Sequence, residues 1–548
     1  MILKSKDGSI SVSGELIGIE SGLYVIESHI GLVRIPVASV DCIGPCDLGS
    51  TTTAAVEPAQ EPAPEPASAA VEPAAVAVAQ PEPVVEAPKA VLTEAAAPVE
   101  QASAPQADVP ASAKFGIHGS RTLGTFLLPN LIKAYAAKIG ATYEMFDDNP
   151  KERIVRVTAA DGTVIAEIDL QTKGSGSAFP GLGEGIADIG MADRRMKDDD
   201  LAKLGTLGEL RDTPNEIVLG RDGIVSIVHP SNPLSDISFE DLSRIYSGEA
   251  TNWSEFGGPD APIAVHSFPD GSGDRAVFLS RAVDPFGKIE TETAIEHQEY
   301  AEMRGAVAAD PAAIGFLGRP FTTDEIKVLP IREQCGLVSQ PSNFRMKTEG
   351  YAMSRRLYLY RKPGVIHPFA EELLAFALSP EGQQVLVDSN FVDNEIEGMR
   401  LADMSSELDF ARTEPDFRPA AFDALLNDLG DAERLSIAFR FEFARATLDQ
   451  LSERAVSDFA AKLQSGAFDG KEILVVGFAD SVGRFEQNQR LAMARAEVVA
   501  DLLSTRIGRI NADKYGLKPV SFGELLPYLC NEDEFGRDSN RRVEIWVR

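Results

Sequence analysis

Long apolar runs are missing from this 548-residue chain. No window approaches the ~18 consecutive apolar residues that a membrane-spanning helix requires, so no such span is expected. Positive charge is in deficit, with 52 Lys and Arg against 84 Asp and Glu and a net charge of -32. A surface of that sign repels phosphate backbones and anionic lipid headgroups, which excludes nucleic acid as an expected partner. Cysteine is scarce. Of the four, Cys42, Cys46, Cys335 and Cys530, only the first two lie close in sequence. An even number permits disulfides in an oxidising compartment, but structural or buried thiols are the favoured reading. No His, Cys or carboxylate cluster has metal-ligand spacing, so neither a metal nor a cofactor is expected. The opening Met1-Ile-Leu-Lys-Ser-Lys-Asp-Gly8 turns polar before an apolar segment forms, unlike a signal peptide. The chain is therefore expected either in the cytoplasm or as a secreted protein whose signal has been removed.

The apolar share of 44% and charged share of 25% are those of ordinary globular protein, and the length implies three or four domains. Residues 1–48 carry short apolar runs, such as Leu16-Ile-Gly-Ile19 and Leu23-Tyr-Val-Ile26, separated by Gly turns, and read as a small β module for packing or interaction. Residues 49–112 change to Pro, Ala, Val and Glu, as in Glu57-Pro-Ala-Gln-Glu-Pro-Ala-Pro-Glu-Pro66, the composition of an extended tether. Residues 113–392 alternate strand and helix patterns, which implies parallel sheets covered by helices in two lobes. Residues 393–432 read as an acidic linker with some helical content. Residues 433–548 read as a βαβαβ sandwich, with strands at Leu435-Ser-Ile-Ala-Phe-Arg-Phe441, Ile473-Leu-Val-Val-Gly-Phe478 and Val543-Glu-Ile-Trp-Val547.

Three predicted helix starts in 113–392 share one chemistry: His118-Gly-Ser-Arg-Thr122, Lys173-Gly-Ser-Gly-Ser177 and Asp270-Gly-Ser-Gly-Asp-Arg275. Glycine lets backbone N–H groups approach a ligand, hydroxyls add donors, and the helix dipole favours negative charge. Each alone reads equally as a capped turn; three together point to an oxyanion. Asp193, in Asp188-Ile-Gly-Met-Ala-Asp193, reads either as a helix cap or as an acceptor facing the ligand, and an acceptor there favours an anion that brings its own proton. A serine hydrolase would need a base beside Ser272. Only His118 and His266 of the six histidines adjoin these segments, each at a strand end, so no enzyme and no catalytic residue is expected.

With Asp222-Gly-Ile-Val-Ser-Ile-Val-His-Pro-Ser-Asn-Pro233, Ile245-Tyr-Ser-Gly-Glu-Ala-Thr-Asn-Trp253, Ala313-Ile-Gly-Phe316 and Ser354-Arg-Arg-Leu-Tyr-Leu-Tyr360 added in order, residues 113–392 resemble the phosphate-type periplasmic substrate-binding proteins of ABC importers. The resemblance implies two α/β lobes closing on phosphate or a related oxyanion. It places ligand contacts at Ser120, Thr122, Ser175, Ser177, Asp193, Ser272, Gly273, Asp274 and Arg275. Two positions depart from the family pattern. Phe268 stands where many relatives have arginine, and Asp274 where they have threonine, so a cation is lost and a carboxylate gained unless Arg121, Arg194, Arg195 or Arg275 turns inward.

Residues 433–548 resemble the OmpA-like peptidoglycan-binding domain through Gly477-Phe-Ala-Asp-Ser-Val-Gly483, Asn488-Gln-Arg-Leu-Ala-Met-Ala-Arg495 and Gly536-Arg-Asp-Ser-Asn-Arg-Arg-Val-Glu-Ile545. The resemblance implies that Asp480 and Arg495 hold the diaminopimelate end of the peptidoglycan stem peptide. Phe478-Ala479 replaces the usual His-Thr and removes two side-chain donors. The expected whole is a multidomain α/β protein with a small N-terminal β module, a two-lobed periplasmic-binding-protein fold and a C-terminal OmpA-like α/β sandwich. It would reside in the periplasm with peptidoglycan or the outer membrane and capture an oxyanion for the membrane subunits of an ABC transporter or for sensing. A scaffold or adhesin that has lost its ligand is the alternative.

Overall fold

The computed structural model describes five strands between residues 2 and 43 and, apart from short gaps at 150, 205–206, 208–209, 212–213, 415, 442–447, 449 and 509–513, residues 111–548. The tether up to residue 110, and Cys46, lie outside the described residues. The chain divides into two units, 1–103 and 104–548.

In the first unit, β1 (Ile2–Ser5), β2 (Ser11–Glu20), β3 (Leu23–Ser28), β4 (Gly31–Pro36) and β5 (Val40–Ile43) form one antiparallel sheet in the order β4-β3-β2-β1-β5. The run Leu16-Ile-Gly-Ile19 lies within the single strand β2, whose register shifts between Leu16 and Gly18.

The second unit begins with β6 (Lys114–Gly119), β7 (Thr142–Asn149), β8 (Glu152–Thr158), β9 (Val164–Gln171) and β10 (Ile189–Ala192). These build lobe A. The sheet is mixed and not wholly parallel: β6 pairs in parallel with β9 and β10, while β7, β8 and β9 are antiparallel neighbours. The turn at Asp161-Gly162 is too short for the crossover that a parallel pair needs, so β8 must return antiparallel onto β9. The 13-residue β11 (Glu216–Val228) then crosses into lobe B. Its first half pairs with the strand at Ser354–Arg361 and its second half with that at Ala313–Gly318. Lobe B holds β12 (Ile237–Ser238), β13 (Ala264–Ser267), β14 (Ile295–Glu296), β15 (Ala313–Gly318), β16 (Lys327–Leu329), β17 (Ile331–Arg332) and β18 (Val338–Ser339). β19 (Ser354–Arg361) returns to lobe A and pairs with β10.

Helices cover these sheets because their apolar positions recur at helical spacing and their starts are capped. Ser238 and Ser272 accept the N–H of the residue three positions on, and Pro368 and Pro380 occupy first turns, where a missing N–H costs nothing. Tyr135 of the helix Leu128–Lys138 meets Phe369 and Phe376 at 5.2 and 5.3 Å between ring centroids, seating lobe A on the helix Pro368–Ala377.

The C-terminal sheet runs β20-β21-β24-β22-β23, from β20 (Gly398–Arg400), β21 (Glu433–Arg440), β22 (Ile473–Gly477), β23 (Lys518–Ser521) and β24 (Arg542–Val547). Here the structure departs from the reading of 393–432 as a linker. That stretch supplies the edge strand β20 and two helices, Ser405–Thr413 and Pro419–Leu429, whose Phe422, Leu425 and Leu429 are buried with Trp546 and Phe478 in one core. Asp409, Asp423 and Asp428 lie on the exposed faces of these helices while helically spaced apolar residues bury.

The sandwich is fastened to lobe B. Cys335 and Cys530 form a disulfide across 195 residues, contrary to the expectation of thiols. Beside it the buried Glu333 accepts the Cys530 N–H at 2.7 Å, and burial pushes its carboxyl up to about 8. Arg440 pairs with Glu349 at 3.2 Å and Arg345 with Glu407 at 2.6 Å. Burial pushes the Glu349 carboxyl up, but the guanidiniums of Arg356, Arg440 and Arg221 outweigh it and hold it at about 2. Lobe A is touched as well, by Arg454, which donates to the carbonyls of Glu216 and Arg211 at 2.7 Å each. Because the disulfide closes so long a loop, the Cys335→Ser/Cys530→Ser variant is expected to lose about 2–4 kcal/mol of stability. Thermal melts with and without reductant check this; equal melting temperatures would show that the bond stabilises nothing.

Candidate functional site

A cleft of about 340 Å³ opens between the lobes, its walls including Thr122, Ser175, Asp193, Ser272 and Gly273. Lobe A delivers the first three. Gly119 ends β6 at φ 140°, and a Cβ there would meet the Met191 carbonyl at 1.9 Å, so only glycine lets the turn into Thr122 close against β10. Gly174, at φ 106°, likewise starts the short turn carrying Ser175. Asp193 follows β10 directly. Its backbone N–H donates to Ser175 Oγ at 3.0 Å, and that hydroxyl donates to Asp193 Oδ1 at 2.5 Å. Lobe B delivers the helix Gly273–Ala282, whose N-cap Ser272 accepts from Arg275 N. The approach is close: a Cβ on Gly273 would meet Asp193 Oδ2 at 2.7 Å. The unpaired N–H groups and positive dipole end of that helix thus face a carboxylate and two hydroxyls across the cleft.

Beneath the cleft lies Arg355, delivered by β19 and almost wholly buried. It pairs with Asp222 and Asp274 at 2.7 Å each and with Asp193 at 3.2 Å. Its Nη2 also donates to Thr122 Oγ1 at 3.3 Å, and the Tyr300 hydroxyl lies 3.2 Å from the same oxygen. Burial alone would lower the guanidinium's pKa, but Asp274, Asp222 and Asp193 raise it well above its ordinary value, so it stays charged. Burial raises the Asp222 carboxyl, with Arg355 opposing. Three carboxylates share one guanidinium, leaving the floor with an excess of acceptors.

Of the nine ligand positions expected from sequence, Thr122, Ser175, Asp193, Ser272 and Gly273 meet at this cleft. Ser120 is fully buried and accepts the Leu123 N–H, a cap for the next helical turn. Ser177 donates to the Gly174 carbonyl, holding its own turn. Asp274 sits under the cleft, turned to Arg355. Arg275 turns away, donating to Glu290 at 2.7 Å and pairing with Asp270. Of the other arginines considered, Arg194 pairs with Asp200 and Arg195 with Glu216, while Arg121 borders the cleft. The sequence reading missed Arg355, Asp222 and Tyr300 as site residues. For the first two a signal existed, because a charged residue inside a strand of apolar neighbours needs a buried partner. For Tyr300 there was none.

In the C-terminal sandwich, Asp480 follows β22 and Arg495 lies on the helix Phe485–Ile507. Asp480 Oδ2 accepts from Arg541 at 2.8 Å and Oδ1 from the Val482 N–H at 3.0 Å. Arg495 is fully buried, 5.3 Å from the Phe441 ring centroid, and its Nε, Nη1 and Nη2 make no hydrogen bond among the described residues. Burial lowers its pKa to about 10, with Asp480 opposing and Arg541 adding to the shift. A buried guanidinium without a hydrogen-bond partner among the described residues is costly.

Removing Arg355 would leave three buried carboxylates around an apolar group. The Arg355→Met variant is therefore expected to lose about 3–5 kcal/mol of stability at neutral pH and to regain part of it in acid, where the carboxylates protonate. Urea denaturation at two pH values checks this; an unchanged midpoint at neutral pH would show that the cluster is not load-sharing.

Residues 105–381 match the PBP superfamily domain, and residues 440–527 the OmpA family. The phosphate-binding protein PstS of Bacillus subtilis (strain 168) is 32% identical over 160 residues, 29% of this chain and half of that protein's length. PstS of Staphylococcus saprophyticus is 27% identical over 229 residues, 40% of this chain and 69% of the relative. Both are named as binding proteins, not enzymes. The crystal structure of a putative phosphate ABC transporter substrate-binding protein with bound phosphate from Clostridium perfringens aligns over 52% of this chain and 100% of its own, at 23% identity and a TM-score of 0.40. With its superfamily match running from 105 to 381 of 548 residues, the chain belongs to the PBP superfamily and carries an OmpA-family domain at its C-terminal end.

Proposed function

We propose that the two-lobed domain captures an inorganic oxyanion, phosphate first among them, and that the OmpA-family domain holds the chain to peptidoglycan through the diaminopimelate of the stem peptide. The protein is then a wall-anchored periplasmic receptor serving the membrane subunits of an ABC importer or a sensing role. The observation that carries the capture reading is the start of the helix Gly273–Ala282 set against Asp193, Ser175 and Thr122 of the other lobe. Donors from the helix and hydroxyls suit anionic oxygens, while Asp193 requires the ligand to bring a proton. Hydrogen phosphate meets both demands; sulfate, with no proton at neutral pH, meets only the first. Asp274, which the sequence sets against anion binding, spends its charge on Arg355, and this supports capture over a scaffold that has lost its ligand. The relatives named as phosphate-binding proteins support the same reading.

Calorimetry is expected to show saturable binding of phosphate, with sulfate weaker by about tenfold or more, equivalent to one lost charge-assisted hydrogen bond. Gly273→Ala, which brings a Cβ against Asp193, should weaken phosphate by at least a comparable factor. No heat with phosphate would refute capture. For the sandwich, the support is the buried Arg495, which has no hydrogen-bond partner among the described residues and feels the charge of Asp480. Arg495→Met and Asp480→Asn are each expected to abolish retention on isolated peptidoglycan while the proteins still melt cooperatively. Retention equal to that of the unaltered chain would remove the anchoring assignment.

A further inference from the structure

We propose that Arg121 is the cation that receives the captured anion, and that Phe268, Tyr300 and the Gln298 carbonyl form the frame that aims it. The inference rests on reading the cleft as an oxyanion site and assigns to it a cation alongside the glycine and hydroxyl donors of the helix starts.

Arg121 leaves lobe A at the turn after β6, beside Thr122, and borders the cleft. Its frame belongs to lobe B. The guanidinium carbon lies 5.2 Å from the Phe268 ring centroid and 4.9 Å from that of Tyr300, and Nη1 donates to the carbonyl of Gln298. Phe268 and Tyr300 meet edge to face at 5.5 Å and an interplanar angle of 76°, and both are buried, so the frame is fixed by packing. Phe268 itself offers no donor. Its place in the site is that of a flat surface for a flat cation, which a guanidinium uses well and an ammonium less well.

Charge pairing separates Arg121 from the other arginines near the cleft. Arg194, Arg195, Arg275 and Arg355 each have a carboxylate within 3.2 Å. Among the described residues Arg121 has none at ion-pair distance, and its Nη2, closed off from solvent, makes no hydrogen bond of normal geometry. Burial lowers its pKa, but Tyr300 and Asp274 outweigh this and raise it, so the charge persists. Below it, Asp193, Asp222 and Asp274 outnumber Arg355. A floor rich in carboxyl groups opposes an incoming anion unless a cation stands at the wall, and a guanidinium held by rings and a carbonyl, with no carboxylate at ion-pair distance among the described residues, is the one placed to meet the ligand. Because Arg121 and its frame come from different lobes, the same contact ties anion binding to the lobes' approach.

The test is calorimetric titration of the full chain with inorganic phosphate, comparing Arg121→Gln, Arg121→Lys, Phe268→Leu and, as a control for net charge, Arg194→Gln. With the unaltered protein binding phosphate, Arg121→Gln is expected to weaken it by about 10- to 100-fold. Arg121→Lys should fall between, Phe268→Leu should lose about 3- to 10-fold through the platform alone, and Arg194→Gln should stay within about twofold. Melting temperatures, read in parallel, show that each variant folds. Arg121→Gln binding as tightly as the unaltered protein overturns this assignment and leaves phosphate capture standing. A loss in Arg194→Gln equal to that in Arg121→Gln also overturns it, since net charge and not position would then set affinity. Should Arg121→Gln fail to fold, an Arg121→Lys variant together with a Phe268→Leu variant, both at full affinity, overturns it. An unaltered protein that binds no phosphate refutes the capture reading and this inference with it.

Discussion

The two-lobed domain is built around one buried guanidinium. Arg355 sits on β19, a strand that runs between the lobes, and binds Asp193 from lobe A, Asp222 from β11, where the chain crosses between lobes, and Asp274 from the helix of lobe B. Burying a charge is costly unless paired, and here pairing demands that three separate segments arrive at one point. The cleft follows from that demand. Asp274 is drawn down to Arg355, which presents the Gly273 backbone upward, and Asp193 is drawn to the same group with Ser175 and Thr122 attached. The residues that could hold a ligand are thus positioned by a structural ion cluster directly beneath them.

The same economy of charge links the lobes to the C-terminal sandwich. Glu216 accepts from Nε and Nη2 of Arg195, two residues after Asp193, at 3.0 Å each, and its backbone carbonyl accepts from Arg454 of the sandwich. On the other side the disulfide, the Arg440 and Glu349 pair and the Arg345 and Glu407 pair tie the sandwich to lobe B. The OmpA-family domain therefore bears on both lobes. The sandwich is thus joined covalently and by ion pairs to one lobe and by a hydrogen-bonded fork to the other, in contrast to a domain carried on a flexible linker.

Much of the fold was legible because its signals are local. Apolar periodicity marked β22 and β24, and Gly-Ser pairs marked the turns that carry Ser175 and Ser272. The stretch 393–432 was misread because its acidity drew attention from a pattern that was present, Phe422, Leu425 and Leu429 at helical spacing. The cleft was legible in its donors and not in its charges. Thr122, Ser175, Ser272 and Gly273 line the cleft from the turns the sequence marked, while Ser120 and Ser177 are taken up by local caps, and the worth of Asp274 or Arg275 depends on which partner each finds. Asp274 found Arg355, 81 positions away, and Arg275 found Glu290.

By itself, then, the sequence carried the resemblance to a binding-protein fold followed by an OmpA-family domain, and the glycine and hydroxyl residues beside the helix starts, since each is written in residues close along the chain. Only the tertiary structure decided which arginine faces the cleft, that Cys335 and Cys530 join, and that three aspartates surround one guanidinium. Those outcomes depend on residues up to 195 positions apart being brought within bonding distance. Short-range composition carries no term for such meetings, because burial and pairing energies are set by neighbours in space.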